Sequence, residues 1–276
     1  MKYAMSTFKI ITTFLDKPLK GSQVDISKLN DKAKRYWSRF TDETISRGMQ
    51  LALQANAFLP DNATMRVYYE GDNLPENMEK VEFVPHRVDK VDLFRKKSYG
   101  KFIRKKFKPY NYDEYKSKIN HNDYDYEYDA VRFCHAPFSI IEAYNSIEEQ
   151  YLISIDSDVE IKEKIPEDFF PSLIKEKIYT YYLSRAPHKH MESGFIMWDT
   201  HHPIHEKWFK KYIELYEQEK IFELWDGWTD CHAFDFVNSS FSDVSHKIAE
   251  LQSHDVWSIS PLQKYLIHKK GTTLST

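Results

Sequence analysis

The chain has 276 residues, of which 41% are hydrophobic and 29% are charged, with a formal net charge of -3. A chain of this size can bury one large core without disulfides or a structural metal, and its charge gives no overall attraction to nucleic acid. The 7 glycines are not spaced as in dinucleotide-binding or P-loop motifs, so a bound phosphate would have to be held by a cation or by basic side chains.

The first quarter of the chain predicts a strand, a helix and a second strand. Residues 8 to 14 (FKIITTF) are β-branched and aromatic, which favours a buried strand. A helix is expected from Thr41, whose side chain can cap it, to a stop before Pro60. Residues 65 to 69 (MRVYY) predict the second strand. This order favours a right-handed crossover and a parallel pair.

A basic and tyrosine-rich insert is expected at about residues 90 to 129, within a single domain spanning residues 1 to 276. The run 95 to 108 carries eight basic side chains and no acidic one, with aromatic residues between them. Such a run suits phosphate contacts and base stacking, but it is equally typical of a solvated loop balanced by the acidic residues 113 to 129. The candidate nucleic-acid contacts are Arg95, Lys96, Lys97, Lys101, Arg104, Lys105 and Lys106.

The remaining predicted elements alternate between helices and buried strands. They are a mainly helical segment at 130 to 145, a buried strand at 151 to 155, a strand at 193 to 199, a helix at 205 to 220 and the start of a helix at 230 to 237. No internal repeat is visible. The pattern is typical of an α/β domain.

Two carboxylates follow the strand at 151 to 155 directly. Ligands bind beyond the carboxyl ends of strands in open α/β sheets, and the i, i+2 spacing of Asp156 and Asp158 projects both side chains to one side. Carboxylate oxygens suit Mg²⁺ or Mn²⁺ bridging phosphate oxygens. The alternative is two solvated turn aspartates, since the same spacing also occurs at Asp123 and Asp125.

Four segments occur in order after residue 150: YLISIDSDVEI, MESGFIMWD, WDGWTDCHAFDFV and SPLQKYLIHKKG. Together with the first strand they resemble the motif set of GT-A glycosyltransferases, in style that of the glycogenin-like family 8 enzymes and of uncharacterised phage glycosyltransferases. The resemblance covers about residues 8 to 15 and 130 to 271 and leaves the basic insert unmatched. It implies a GT-A fold, in which a mixed, mostly parallel sheet lies between helices.

The resemblance also implies a metal-dependent enzyme that moves a sugar from a nucleotide-diphosphate sugar, UDP-linked, to an acceptor hydroxyl. The implied ligands of Mn²⁺ or Mg²⁺ are Asp156, Asp158 and His268. The implied donor-binding residues are Thr12, Thr13, Phe14, Arg132, Asp156, Ser193, Gly194, Lys270 and Gly271. The implied catalytic acids are Glu192 and Asp230, either of which can be the base of an inverting enzyme. Family 8 enzymes are retaining and need no base, but this chain has His-Lys-Lys-Gly in place of their longer late motif, so both courses stay open.

Several alternatives remain for the acceptor and for the protein itself. The acceptor can be a hydroxymethylated base in phage DNA, a polysaccharide, a lipid-linked sugar or a protein hydroxyl. A nucleotidyltransferase of the same fold is expected to carry a glycine-rich N-terminal signature, and a nucleic-acid-binding module built on residues 95 to 108 needs no catalysis. Two cysteines far apart, no signal peptide and no apolar run of about 20 residues indicate a cytoplasmic protein without a membrane span.

Overall fold

The computed structural model describes residues 6–14, 47–69, 73–86, 94, 130–185, 190–224, 227–251 and 255–269. The strands in these ranges are β1 (Phe8–Phe14), β2 (Ala63–Tyr69), β3 (Val81–Pro85), β4 (Tyr151–Ile155), β5 (Val159–Ile161), β6 (Thr180–Ser184), β7 (Glu192–Asp199), β8 (Ser245–Glu250) and β9 (Leu266–His268). The α-helices are α1 (Arg47–Phe58), α2 (Ala130–Phe133), α3 (His135–Tyr144), α4 (Phe169–Leu173), α5 (His205–Glu217) and α6 (Asp230–Asn238). Short 3-10 helices lie at Lys220–Glu223, Ser239–Val244, Trp257–Ile259 and Pro261–Lys264.

Seven of these strands form one sheet in the order β3-β2-β1-β4-β7-β6-β8. The pairs β3–β2, β2–β1, β1–β4 and β6–β8 are parallel, whereas β7 runs antiparallel to both β4 and β6. Phe8 lies opposite Ala63 in the parallel pair that the first quarter of the sequence predicted. The expected α/β architecture, a mixed and mostly parallel sheet flanked by helices, is confirmed.

The core lies on both faces of this sheet because its central strands are mostly apolar and almost wholly buried. All five residues of β4 are buried, and successive side chains point to opposite faces, so Ile153 packs on one side and Leu152 on the other. Helix α1 covers the first face through Leu51 and its neighbours. Helices α3, α5 and α6 cover the second face, where Trp208 is fully buried. The sheet is thereby held rigidly between two helical layers.

The described elements differ from the predictions at several boundaries. Strand β2 begins at Ala63, two residues before the predicted start. The segment at 130 to 145 is two helices, because Pro137 has no N–H to donate to the carbonyl of Phe133. The helix at 205 ends at Glu217 and not at Lys220. Strands β3, β5, β6, β8 and β9 and helix α4 were not predicted, and residues 41–46 lie outside the described part of the chain.

None of the helices in the described ranges is both long enough and apolar enough to cross a membrane.

Candidate functional site

A cavity of about 550 Å³ opens at the edge of the sheet where β1 and β4 end. Five segments line it with polar side chains, and these are the end of β1 (Thr12, Thr13), the start of α3 (His135, Ser139), the exit of β4 (Asp156, Ser157, Asp158), the β6–β7 connection with the start of β7 (Arg185, Glu192, Ser193) and the start of α6 (Asp230, Cys231). Several parallel strand ends meet at this edge. It is therefore the place where an open α/β sheet binds its ligand.

The small sheet of β5 and β9 brings the C-terminal part of the chain to the exit of β4. Val159 pairs with His268, and the backbone N–H of Lys269 donates to the carbonyl of Asp158 at 3.0 Å. The imidazole Nε2 of His268 consequently lies 3.1 Å from Asp158 Oδ1 and 3.4 Å from Asp156 Oδ2. One ligand atom from each residue lies within 4.8 Å of the others. The structure thus brings the three predicted metal ligands together, and we call them the Asp–Asp–His cluster.

Neighbouring side chains fix the orientation of this cluster. The ring of Trp257 packs 5.0 Å from the imidazole of His268, centroid to centroid. From α1, Arg47 donates to the carbonyl of Lys269 at 3.2 Å and so fastens the end of β9. His268, one of the three predicted ligands, is therefore held in position by packing and by backbone contacts.

The cluster fits a divalent cation by its charge and by its unused atoms. Among the described residues, Asp158 Oδ1 is buried and meets no aligned hydrogen-bond donor, so an electron pair is left for a ligand. Burial raises the pKa of Asp158, but the imidazole of His268 and the charge of Arg47 lower it further, so the net pKa falls. Burial lowers the pKa of His268, and the two carboxylates more than offset this, so its net pKa rises. The raised pKa of His268 shows that the two carboxylates stabilise positive charge, and the lowered pKa of Asp158 shows that its carboxylate is held in the charged form.

Gly194 of β7 lies directly beneath the cluster. A Cβ at this position would stand 2.9 Å from His268 Cε1, and 3.3 Å from both Asp156 Oδ2 and Glu192 Oε1. The first distance is shorter than real carbon contacts allow, so only glycine leaves the two carboxylates and the imidazole where they are. The predicted donor residue Gly194 therefore has a steric role at this site.

A neighbouring part of the cavity wall holds Glu192 in an ion pair. One carboxylate oxygen of Glu192 pairs with the guanidinium of Arg185, and the other accepts from the backbone N–H of Gly194 at 3.3 Å. Glu192 is only 1% exposed. The negative charge of Glu192 is thereby compensated by Arg185 within the cavity wall.

Asp230, at the start of α6, also lines the cavity. Burial raises the pKa of Asp230 to about 6, and the negative charge of Asp156 adds to the rise, whereas a hydrogen bond from Ser193 opposes it. Burial and the charge of Asp230 raise the pKa of Cys231 to about 12, and its thiol donates to Ser193 Oγ at 3.3 Å. The thiol therefore stays protonated and is no nucleophile at neutral pH.

The predicted donor-binding residues of β1 take different positions. Thr12 and Thr13 line the cavity, and Thr13 Oγ1 donates to the carbonyl of Tyr68 at 3.1 Å. The ring of Phe14 packs edge-on against Tyr69 at 5.7 Å, with Gly48 of α1 against its face. Phe14 therefore lies in the core between β1 and α1 and is not among the residues that line the cavity.

Some of the predicted site residues lie outside the part of the chain that the structure describes. They are Lys270, Gly271, the side chain of Arg132, and the basic residues Arg95, Lys96, Lys97, Lys101, Arg104, Lys105 and Lys106.

Several polar residues of the cavity wall escaped the sequence analysis, among them His135, Ser139 and Arg185. Ser139 of α3 donates to the carbonyl of His135 at 3.0 Å. Arg185 directly follows β6. The run TYYLS before it is β-branched and aromatic, which is a usable strand signal, so Arg185 could have been placed at a strand end. Nothing local in the sequence marks His135 or Ser139.

No family model and no curated protein matches the chain. The solved structures that it resembles include mouse xyloside xylosyltransferase 1 in its apo form, at 10% identity and a TM-score of 0.44, covering 88% of this chain and 85% of that one. They also include the apo glycosyltransferase GlyE of Streptococcus pneumoniae, at 11% identity and a TM-score of 0.45, covering 97% and 55% respectively. A third is the galactosyltransferase LgtC in complex with donor and acceptor sugar analogues, at 12% identity and a TM-score of 0.42, covering 87% and 73%. The chain thus spans just over half of the length of GlyE.

Proposed function

We propose that this protein is a divalent-metal-dependent glycosyltransferase that moves a sugar from a nucleotide-diphosphate sugar, UDP-linked, to an acceptor hydroxyl. The observation that carries this proposal is the convergence of Asp156, Asp158 and His268 on a cavity at the carboxyl ends of parallel strands. A diphosphate needs compensating positive charge. The sequence contains no glycine-rich phosphate-loop motif that would supply this positive charge. A cation held by the Asp–Asp–His cluster is therefore the simplest source.

The donor atoms of the cluster suit Mn²⁺ first and Mg²⁺ second. Two carboxylates are hard oxygen ligands that suit both ions, whereas Mg²⁺ takes almost only oxygen and the imidazole adds a nitrogen. When bound, such a cation offsets the charge of the departing nucleotide diphosphate. Three protein ligands leave coordination positions for phosphate oxygens and water.

The residues of the chain divide the remaining work by position. Thr12 and Thr13 lie on the side of β1, where we place the nucleotide. Ser193 and Gly194 lie beneath the place of the sugar, next to the cluster. Glu192 is engaged by Arg185, so we assign proton acceptance in an inverting course to Asp230, whose pKa of about 6 lies near the working pH. In a retaining course the leaving phosphate accepts the proton, and Asp230 then contacts the sugar or the acceptor.

Titration of UDP by calorimetry, with and without MnCl₂, tests this proposal. The wild-type protein should bind UDP only with the metal, and Asp158→Asn should lower the affinity by more than about 100-fold, because loss of even an outer contact of a metal site costs about 10- to 100-fold. Asp168→Asn is the matched control, since Asp168 is exposed and is not among the residues that line the cavity. Equal UDP affinity in the presence of Mn²⁺ or EDTA rejects the metal-dependent mechanism.

For the acceptor we propose a hydroxymethylated base in phage DNA. The support is the run of eight basic residues at 95 to 108, with aromatic side chains suited to stacking or wedging. Incubation with UDP-sugars and matched duplexes, with and without 5-hydroxymethylated pyrimidines, should give a mass increase of one sugar only on the hydroxymethylated duplex. Transfer to neither duplex assigns the acceptor to another class of hydroxyl. Salt-dependent DNA binding without any UDP binding supports the non-enzymatic module instead.

A further inference from the structure

Arg185 directly follows β6 and lines the cavity. The register shifts between Tyr182 and Leu183, and the extra residues lie in the two neighbouring strands, β7 and β8. Leu183 is thereby paired with Glu192, the first residue of β7. Arg185 and Glu192 lie side by side in the wall of the cavity.

The Arg185–Glu192 pair is an ion pair within the protein and not a surface contact. The side chain of Glu192 is 2% exposed and that of Arg185 is 15% exposed. Desolvating two charges is costly, and such a pair persists only when each charge is compensated and further hydrogen bonds are made. Gly194 supplies one of these to Glu192. The net charge of the pair is zero.

The pair lies about one sugar ring from the Asp–Asp–His cluster. Glu192 Oε1 and Asp156 Oδ2 both lie 3.3 Å from the position that a Cβ of residue 194 would take. The two oxygens are therefore separated by no more than twice that distance. A sugar joined to a diphosphate at the cluster would lie against the pair.

The Arg185–Glu192 pair combines hydrogen-bond donors and acceptors. A guanidinium has five N–H donors, and a carboxylate has two acceptor oxygens. Both residues line the cavity, although the Nε of Arg185 is itself enclosed. A sugar hydroxyl both donates and accepts, so it matches this arrangement.

We propose that the Arg185–Glu192 pair reads the hydroxyls of a neutral donor sugar and discriminates against uronic acids, which carry a carboxylate. This inference rests on the proposed function and deepens it by naming the class of sugar. The charge of Arg185 is already matched by Glu192, so a sugar carboxylate finds no unpaired cation at the pair. It meets the negative charges of Glu192 and Asp156 instead, and like charges in such proximity are strongly unfavourable.

The test measures the affinities of UDP, UDP-glucose and UDP-glucuronic acid in MnCl₂, and of the corresponding galactose and galacturonic acid pair. The two sugars of each pair differ only in the carboxylate. The wild-type protein should bind each neutral sugar nucleotide at least about tenfold more tightly than its uronic acid. Glu192→Gln leaves the arginine uncompensated and should reverse or erase this preference, whereas Arg185→Gln should enlarge it. Exchanging both residues for Gln should restore a preference near the wild-type value.

The controls separate this inference from the proposed function. UDP, which lacks the sugar, should still bind every variant in a Mn²⁺-dependent way, because the Asp–Asp–His cluster is unchanged, and each sugar preference is therefore expressed relative to UDP. Arg66→Gln, which breaks the Arg66–Glu82 pair between β2 and β3, should leave every ratio unchanged. Absence of Mn²⁺-dependent UDP binding in the wild type rejects the proposed function and this inference with it. Normal UDP binding with sugar ratios that do not move in opposite directions in the two single variants rejects this inference alone.

Discussion

The two sides of the cavity handle charge in opposite ways. On one side, the Asp–Asp–His cluster places two carboxylates around an imidazole, and one of their buried oxygens lacks an aligned donor. On the other, the Arg185–Glu192 pair carries one charge of each sign and cancels them internally. The first side needs a positive charge from outside the protein, and the second does not.

Gly194 lies next to both sides, since His268, Asp156 and Glu192 all surround the position that its Cβ would take. A charged and a neutral subsite within one sugar length of each other match the two parts of a nucleotide sugar, its diphosphate and its sugar. This difference indicates that binding of the diphosphate and selection of the sugar are separable. A substitution on one side should therefore change diphosphate binding or sugar preference, but not both.

Among the substitutions that separate the two sides, Asp158→Ala is expected to have the largest effect on activity. This change removes a ligand of the cluster and should lower kcat/KM for transfer or donor hydrolysis in Mn²⁺ by more than about 100-fold. The fold should persist, because Asp158 lies at a strand exit and not in the core, and circular dichroism checks this. Activity that stays within threefold of the wild type contradicts the role given to the cluster.

Metal removal is the next largest effect. A cation that binds only the native state at 100 times its dissociation constant adds about 2.7 kcal/mol to the unfolding free energy, which corresponds to about 5–10 °C in Tm. We expect MnCl₂ to raise the Tm of the EDTA-treated wild type and of the Arg185→Gln variant equally. Asp156→Asn should show a much smaller rise. A rise that depends on Arg185 instead would place the cation on the wrong side of the cavity.

The sequence predicted the charged side far better than the neutral side. Asp156 and Asp158 follow β4, a wholly buried apolar strand, which is the clearest pattern in the chain. Strand β8 could not be recognised, because it lies at the edge of the sheet and has no fully buried residue. Strand β6 is fully buried and its pattern was readable, yet no local pattern predicts the pairing of Arg185 with Glu192, which lies beyond a register shift between β6 and β7.

His268 shows a different limit of sequence reasoning. Its strand, β9, has three residues and only one of them is buried, so no periodicity marks it. It was placed in the site only by the resemblance of the late motif. The physical link is the pairing of Val159 with His268 across more than 100 positions, which residue spacing alone does not predict.

Gly194→Ala should disturb both sides together. The added Cβ would stand 2.9 Å from His268 Cε1, so the imidazole or the strand has to move. Overpacking of this kind costs about 1–3 kcal/mol of unfolding free energy. We expect urea denaturation to show this loss, together with weaker Mn²⁺-dependent UDP binding and a changed sugar preference. Ser172→Ala is the control, because Ser172 lies at an exposed position of α4 and does not line the cavity. A loss of UDP affinity without any change in sugar preference would show that Gly194 serves the cluster alone.

The smallest expected effect concerns Asp230. Its raised pKa tests whether the negative charge of Asp156 in the cluster acts on Asp230. The pKa of Asp230 is about 6 in the folded protein, above its ordinary value of 3.8, so the folded state binds its proton more tightly. Below pH 3.8 the Asp230 carboxyl is protonated in both states, so it does not lower the unfolding free energy. As the pH rises, its ionisation in the folded state lowers the unfolding free energy progressively, and this loss is complete above pH 6. For a partly exposed group we expect it to reach about 1–2 kcal/mol. Asp230→Asn should therefore gain about that much stability over the wild type between pH 4 and pH 7.5, measured by urea denaturation in EDTA.

Asp156→Asn sharpens this last measurement, because the charge of Asp156 is the second cause of the raised pKa after burial. In that background the pH-dependent gain from Asp230→Asn should shrink but not vanish, since burial remains. Asp168→Asn, at an exposed position, should show no such pH-dependent gain. If the gain from Asp230→Asn is the same with Asp156 or Asn at position 156, the negative charge of the cluster is confined to its own side, and the proton-accepting role of Asp230 has to rest on burial alone.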